Sequence, residues 1–285
     1  MRKAAYRLYW LFLVALSTPM ILAEYFRTTT GHEYGVGMLA KLMLMARVIA
    51  NTKRIPTLSS FLEHLVMMAR VLQVPKAVEG CVVECGCYKG GSTANLSLVC
   101  ALSGRQLEVF DSFQGLPQPP DGDTAHTIID SSEIHLYARG AFDAPLEEVK
   151  RNVARYGRID VCRFHVGFFE DTMATFKRPC AFIFEDVDLR SSLETCLTHL
   201  WPLLQPGCYF FTHEARHMEI VPVFFDREFW RANLNSNPPG LVGAGGGLGL
   251  HPSPGAFVSG LGYAIKDPRI AHFKKVPQVD PEAGA

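Results

Sequence analysis

One segment of the chain, residues 82–92, reads Val82-Val83-Glu84-Cys85-Gly86-Cys87-Tyr88-Lys89-Gly90-Gly91-Ser92. An apolar run ends in an acid, and the closing Gly-Gly-Ser opens a helix-like segment that continues through Leu98. This order predicts a buried strand, a tight turn and the N-terminus of a helix. Glycine lets the backbone of such a turn approach a ligand in conformations that a Cβ would forbid. We expect Glu84, at the carboxyl end of the strand, to hold a cationic or hydroxyl-bearing group.

A second acid follows the next predicted strand. Residues 107–111 read Leu-Glu-Val-Phe-Asp, and in doubly wound α/β folds an acid about 20 residues past the glycines hydrogen-bonds the ribose of an adenosine cofactor. Three residues separate Gly86 from Gly90, so the spacing departs from the dinucleotide fingerprint Gly-x-Gly-x-x-Gly. Either Glu84 or Asp111 alone could be a capping or turn acid. Together, flanking one helix, they favour an adenosine site.

Several motifs resemble those of a known enzyme family. The pattern acid-x-Gly-x-x-x-Gly that starts at Glu84 resembles the first motif of class I S-adenosylmethionine (SAM) methyltransferases. Residues 111–117, Asp-Ser-Phe-Gln-Gly-Leu-Pro, resemble the Asp-Ser-Phe-x-Gly-Leu-Pro of the macrocin O-methyltransferase family. Residues 167–172 (Gly-Phe-Phe-Glu-Asp-Thr) and 186–189 (Asp-Val-Asp-Leu) resemble later segments of that family. The resemblance spans residues 55–235 and keeps its order throughout.

The resemblance implies a SAM-dependent O-methyltransferase that transfers a methyl group to a hydroxyl of a sugar-containing or related small molecule. It also implies that SAM binds along the motif loops. The residues expected at the cofactor are Glu84, Gly86, Tyr88, Gly90, Ser92, Thr93, Asp111, Ser112, Phe113, Gly167 and Phe169.

From residue 82 onward the sequence alternates between strand and helix patterns. We predict strands near residues 82–85, 107–110, 161–166, 180–186 and 207–213, helices near 91–103, 143–156, 190–204 and 216–232, and a closing strand within 256–266. Such alternation predicts an α/β, Rossmann-like fold with a mostly parallel central sheet. Helices near 38–50 and 61–72, the second capped by Ser59 or Ser60, precede it. The predicted organisation is an apolar segment (1–27), a helical lead-in (28–78) and a methyltransferase domain (79–285).

Polar residues follow the fourth and fifth predicted strands, where ligands bind in open α/β sheets. In the resembling family, the first acid of the Asp-Gly-Asp segment binds a divalent cation and acts as general base, and two later acids complete the metal site. Carried over, Asp186 takes the first role, and His213 and Glu214 take the other two. A histidine at 213 offers a softer ligand than Mg²⁺ prefers and suits Mn²⁺, Fe²⁺ or Zn²⁺ better. The alternatives are a metal-free site with His213 as the base, or a His213 that only caps a helix.

Composition limits the remaining possibilities. Lys plus Arg and Asp plus Glu both number 28, so no net charge attracts nucleic acid, and we expect no nucleic-acid partner. The eight cysteines mostly fall in predicted buried elements and include no Cys-x-x-Cys pair. Reduced core thiols are therefore expected, as in a cytoplasmic protein.

The amino terminus complicates that localisation. Residues 8–23 are mostly apolar and follow Arg2, Lys3 and Arg7. This run is shorter than the roughly 20 residues that cross a bilayer unaided. It is either an attachment to the cytoplasmic face of a membrane, spanning or interfacial, or a helix that packs on the catalytic domain or on a partner in a homo-oligomer. Attachment would suit a lipid-linked acceptor.

Two other classes of function stay open at the level of sequence. One is a dinucleotide-dependent oxidoreductase, which the missing Gly-x-Gly-x-x-Gly argues against. The other is a noncatalytic SAM-binding scaffold protein that has lost the acid pair at residues 213–214. We expect acceptor specificity to reside in the irregular stretches Gln114–Ala141 and Asn233–Gly255.

Overall fold

The computed structural model describes residues 18–121, 137–244 and 259–267, together with Phe12, Ala15, Asp123 and residues 125–126 and 134–135. The expectations for the two irregular stretches fall partly outside these residues.

A six-stranded sheet forms the centre of the fold. Its strands are β1 (Cys81–Cys85), β2 (Leu107–Asp111), β5 (Cys162–Val166), β6 (Cys180–Glu185), β7 (Leu204–Thr212) and β8 (Gly262–Ile265), while β3 (Ala125–His126) pairs only with β4 (Ile134–His135). The order is β5-β2-β1-β6-β7-β8, with β8 antiparallel to β7 and the other neighbours parallel. The predicted α/β fold and its closing strand are confirmed.

Helices lie on both sides of this sheet. They are α1 (residues 18–26), α2 (Met38–Arg54), α3 (Phe61–Gln73), α4 (Gly91–Ser103), α5 (Leu146–Tyr156), α6 (Phe169–Thr172), α7 (Arg190–Leu200) and α8 (Arg227–Leu234). The predicted cap of α3 is confirmed, because the Ser60 hydroxyl accepts the Glu63 N–H and the Glu63 side chain accepts the Ser60 N–H. Separate clusters of buried apolar side chains pack on the two faces of the sheet, so β1 and β6 are buried throughout.

The single helix predicted at residues 216–232 is wrong. Turns precede a short 3-10 helix, Val221–Phe225, and α8 begins only at Arg227. Pro222 cannot donate the backbone hydrogen bond that an α-helix interior needs. The Asp226 carboxylate then accepts the N–H groups of Glu228 and Phe229, which starts a new helix.

The amino-terminal helix α1 packs against α3. Tyr25 is fully buried with Leu65 and Ala69, and its hydroxyl donates to the carbonyl of Lys41 in α2 at 3.0 Å. Met20 on the same helix is 74% exposed. Among the described residues, no helix has the length and apolar character needed to cross a membrane.

The eight cysteines are all free thiols. Seven are buried, and Cys162 is partly exposed. The expectation that most of the cysteines lie in buried elements is confirmed.

Candidate active site

A cleft opens at the carboxyl edge of the sheet, beyond the ends of β1, β2 and β6. It encloses about 840 Å³, its open mouth included. Its lining comprises Pro56, Thr57 and Leu58 before α3; Gly86, Cys87, Tyr88, Gly91 and Ser92 after β1; Asp111, Ser112, Gly115, Leu116 and Pro117 after β2; Ala141, Phe142, Phe168, Phe169 and Glu170; and Asp186, Val187, Asp188 and Ser192 after β6. The location is where α/β sheets bind ligands.

The loop after β1 needs its glycines. Gly86 has φ +79°, and a Cβ at this position would lie 2.0 Å from the carbonyl oxygen of Asp186. Gly90 has φ +80° and precedes the first residue of α4. The open N–H groups of the first turn of α4, at Gly91 and Ser92, therefore border the cleft. Such a turn attracts negatively charged groups.

Asp111 joins the loops that follow β1 and β2. One carboxylate oxygen accepts the Cys87 N–H at 2.7 Å, and the other accepts the Phe113 N–H at 2.7 Å. Each carboxylate oxygen can accept a further hydrogen bond, and Asp111 lines the cleft. The neighbouring Ser112 hydroxyl donates to the carbonyl of Gly115 and shapes the next turn. Asp111 can therefore hold a ribose while it holds the two loops.

The structure brings only some of the expected cofactor residues to the cleft surface. Gly86, Tyr88, Ser92, Asp111, Ser112 and Phe169 line it, whereas Glu84, Gly90, Thr93, Phe113 and Gly167 do not. Glu84 is fully buried within β1. Burial raises the pKa of Glu84 to about 8, against the opposing hydrogen-bonding effect of Ser92 and Thr93. A direct contact between Glu84 and a ligand therefore stays a prediction, and the described geometry favours a role beneath the loop.

Asp186 follows β6 and faces the cleft. Its backbone N–H donates to the carbonyl of Cys85 at 2.9 Å, and its side chain is 27% exposed. Burial favours the protonated carboxyl, but the charge and hydrogen bond of His213, together with a hydrogen bond from Glu214, outweigh it and lower the pKa of Asp186. Asp186 is therefore ionised at neutral pH and accessible to a ligand.

His213 lies behind Asp186, between two carboxylates. Its Nδ1 is 3.5 Å from Asp186 Oδ1, and its Nε2 is 3.5 Å from Glu63 Oε1. The His213 side chain is only 12% exposed. Burial opposes the charged form, yet Asp186 and Glu63 raise the pKa of His213 well above its ordinary value.

Glu63 was not a predicted site residue. The capping box of α3 is visible in the sequence as Ser60-Phe61-Leu62-Glu63, but nothing in that pattern links Glu63 to residue 213. The packing of the lead-in helices against the sheet makes this connection. Other unpredicted residues at the cleft include Pro56, Thr57, Leu58, Phe142, Asp188 and Ser192.

Glu214 is buried and holds the turn that follows β6. Its Oε1 accepts the N–H groups of Val187 and Asp188 at 3.1 and 3.2 Å, and its Oε2 accepts the Thr212 hydroxyl at 2.6 Å. Burial raises the pKa of Glu214 to about 8. A carboxyl whose two oxygens already accept hydrogen bonds from the protein is a poor ligand for a cation.

These contacts do not fit the divalent cation expected at Asp186, His213 and Glu214. Both oxygens of Glu214 accept hydrogen bonds, from the backbone of the turn and from the Thr212 hydroxyl. Both ring nitrogens of His213 face carboxylates. Within the described part of the chain, no three His, Cys, Asp or Glu side chains are arranged to hold a metal ion.

Asp188 completes the polar floor of the cleft. It adopts φ +63°, an uncommon backbone conformation for a residue with a side chain. Burial and the charge of Asp186 raise the pKa of Asp188 to about 7, and a hydrogen bond from Tyr137 opposes the rise. The turn thus presents the ionised carboxylate of Asp186 beside the carboxyl of Asp188, which gains or loses its proton near pH 7.

Comparison with known proteins gives two sequence matches. The profile of the Macrocin-O-methyltransferase (TylF) family matches residues 53–233. An 8-demethyl-8-(2,3-dimethoxy-alpha-L-rhamnosyl)-tetracenomycin-C 4'-O-methyltransferase from Streptomyces olivaceus is 37% identical over 136 residues, which cover 46% of this chain and 51% of the relative. The match therefore spans about half the length of that curated relative.

Two solved structures share the fold. The O-methyltransferase NovP aligns with a TM-score of 0.58 and 21% identity, covering 79% of this chain and 98% of NovP. The calicheamicin methyltransferase CalS11 aligns with a TM-score of 0.50 and 16% identity, covering 79% of this chain and 92% of CalS11. The sheet and helices described above are thus those of known methyltransferase structures.

Proposed function

The chain belongs to the macrocin O-methyltransferase family, and we propose that it is an enzyme that transfers the methyl group of SAM to a hydroxyl of a sugar-containing small molecule. One observation carries the proposal: the glycine loop after β1, the carboxylate of Asp111 and the carboxylate of Asp186 border one cleft. This cleft can take a cofactor at the end formed by Asp111 and the first turn of α4. An acceptor would lie at the end formed by Asp186.

The cofactor end fits an adenosine with a charged amino-acid tail. Gly86 lines the cleft, and the absence of a Cβ there lets its loop pack against the backbone of residue 186. Asp111 retains lone pairs for ribose hydroxyls, and the first turn of α4 offers N–H groups to a carboxylate. Bound SAM would supply a methyl group on a sulfonium sulfur, whose transfer to the acceptor oxygen leaves S-adenosylhomocysteine and releases the hydroxyl proton.

Asp186 is the residue that we propose takes that proton. It is ionised, partly exposed and held in place by the Cys85 carbonyl and by His213. A general base must reach the hydrogen that it removes, and Asp186 is the ionised carboxylate at this end of the described cleft. Val187 and Asp188 would position the acceptor beside it.

Calorimetric titration of SAM and S-adenosylhomocysteine into the full-length protein tests the cofactor assignment. Micromolar binding that Asp111→Ala abolishes supports it. A folded protein that binds neither compound would refute the proposed function.

Asp186→Asn tests the catalytic assignment. We expect SAM affinity to change by no more than a few-fold and turnover to be largely lost, because the amide cannot accept the proton. Equal loss of binding and turnover would place Asp186 in the cofactor site instead. The acceptor for this assay comes from a screen of rhamnosylated and other glycosylated small molecules. That starting class follows from the rhamnosyl tetracenomycin substrate named for the relative.

We also propose that residues 8–23 attach the enzyme to the cytoplasmic face of a membrane, which would suit a lipid-linked acceptor. The free thiols support a reducing compartment, and Met20, which lies within this segment, is 74% exposed. Full recovery of the intact protein in the supernatant without detergent would refute attachment.

Helix α2 has exposed apolar side chains, which support a homo-oligomer. They are Met38, Leu39, Leu42 and Met43. Light scattering would detect the oligomer.

A further inference from the structure

We propose that the aromatic ring of Phe142 binds the sugar ring of the acceptor. This inference rests on the proposed methyltransferase function and extends it to the residue that recognises the sugar. Phe142 lines the cleft, and 39% of its surface is exposed. It directly follows the irregular stretch Gln114–Ala141, in which we expect acceptor specificity to reside.

The first argument is the backbone conformation of Phe142. Its φ is +61°, in the left-handed region that large side chains rarely occupy. Such conformations persist where the surrounding structure enforces them, and they concentrate at ligand-binding sites. Two backbone hydrogen bonds of 2.9 Å enforce this one, from Leu116 N–H to the Ala141 carbonyl and from Gly140 N–H to the Leu116 carbonyl. A Cβ at Gly115 would lie 2.5 Å from the carbonyl oxygens of Gly140 and Ala141, so the glycine permits this close approach.

The second argument is the row of aromatic rings around Phe142. Its ring centroid lies 6.1 Å from that of Tyr88 and 6.3 Å from that of Tyr137, both in edge-to-face arrangements. Tyr88 belongs to the loop after β1, and the Tyr137 side chain is hydrogen-bonded to Asp188 in the turn after β6. The row therefore runs from the glycine loop to the acceptor end of the cleft, with Phe142 as its middle member.

The loop that leads to Phe142 is also attached at the acceptor end. The Asp123 carboxylate accepts the N–H groups of Arg190 and Ser191 at 2.9 and 3.1 Å, where α7 begins. These groups need an acceptor from outside the helix. The described parts of the loop are thus attached to the ends of both β2 and β6, two strands whose carboxyl ends border the cleft.

The third argument is the chemistry of the exposed ring. The face of a phenyl ring carries partial negative charge, and it attracts the C–H groups that a pyranose presents on its less polar side. A phenyl ring forms no hydrogen bonds with the sugar hydroxyls. The hydroxyls therefore stay available to Asp186, the proposed base.

Saturation-transfer NMR on the full-length protein tests the inference. With S-adenosylhomocysteine present, wild type is expected to transfer saturation to the C–H protons of at least one sugar in a mixture of methyl glycosides of hexoses and 6-deoxyhexoses. Phe142→Leu keeps an apolar side chain without an aromatic face and should weaken binding of that sugar by about three- to tenfold. Phe142→Tyr keeps the face and should bind nearly as well as wild type. Phe225→Leu is the matched control, because Phe225 is 52% exposed and does not line the cleft, and it should bind like wild type.

A calorimetric SAM titration on the same variants separates the sugar from the adenine as the group that contacts Phe142. We expect Phe142→Leu to bind SAM within a few-fold of wild type. A large loss of SAM affinity in Phe142→Leu would assign the ring to the adenine or to the fold, and it would overturn the inference. Wild type that binds SAM but none of the sugars would overturn this inference alone. Sugar binding that requires Phe142, in a protein that binds no SAM, would overturn the proposed function alone.

Discussion

Glu84→Gln offers a sharp test of how the loop after β1 is built. The glycine-loop motif makes Glu84 a cofactor ligand, whereas the structure buries it entirely within a strand. Burial raises the pKa of Glu84 from 4.5 to about 8. The folded protein therefore binds a proton at Glu84 over a pH range in which the unfolded chain has lost it, and stability falls as the pH rises through that window.

The size of the effect follows from the two pKa values. Each pH unit between 4.5 and about 8 lowers the free energy of unfolding by about 1.4 kcal/mol. Glu84 thus destabilises the protein by roughly 3 kcal/mol at pH 7 and by less than about 1 kcal/mol at pH 5. Glutamine keeps the shape and cannot ionise, so Glu84→Gln should be more stable than wild type at pH 7 and nearly equal to it at pH 5.

Urea unfolding at both pH values measures the difference directly. Glu147→Gln, whose glutamate side chain is 72% exposed on α5, is the matched control and should change stability little at either pH. SAM affinity of Glu84→Gln should stay within a few-fold of wild type because Glu84 does not line the cleft. Lower stability of Glu84→Gln at pH 7 would show that the folded protein favours the charged carboxylate and would refute the reasoning.

Two further substitutions test other parts of the site. Gly86→Ala should abolish SAM binding, because the new Cβ would lie 2.0 Å from the Asp186 carbonyl oxygen; Gly104→Ala, at a similar φ with no atom within 4 Å, should bind SAM normally. Loss of SAM binding in both variants would show that backbone strain at positive φ, and not the close contact at Gly86, abolishes binding. Ser60→Ala should lower the free energy of unfolding by about 1 kcal/mol in urea, because the cap of α3 loses its acceptor. Ser60→Thr keeps a hydroxyl and should retain most of the stability that Ser60→Ala loses. Equal losses of unfolding free energy in the two variants would show that the cap hydroxyl does not stabilise α3.

Local patterns predicted most of the scaffold. The apolar run at Val82 and Val83, the turn glycines and the strand ending at Asp111 each depend on neighbours within a few residues. The cap at Ser60 has the same local character, since its partner Glu63 is three residues away in the chain. Prediction failed for residues 216–232, where Pro222 and the cap at Asp226 divided one helical pattern into two pieces.

The sequence by itself determined the α/β alternation, the glycine loop and the presence of acids beyond the strand ends, because these depend on side-chain periodicity and on backbone conformations open only to glycine. Only the tertiary structure decided the roles of those acids. It buried Glu84 beneath the loop, engaged Glu214 with backbone N–H groups and brought Glu63 to His213 from 150 positions earlier in the chain. The ionisation and reach of a carboxyl depend on what packs around it in space, and residues distant in sequence supply those neighbours.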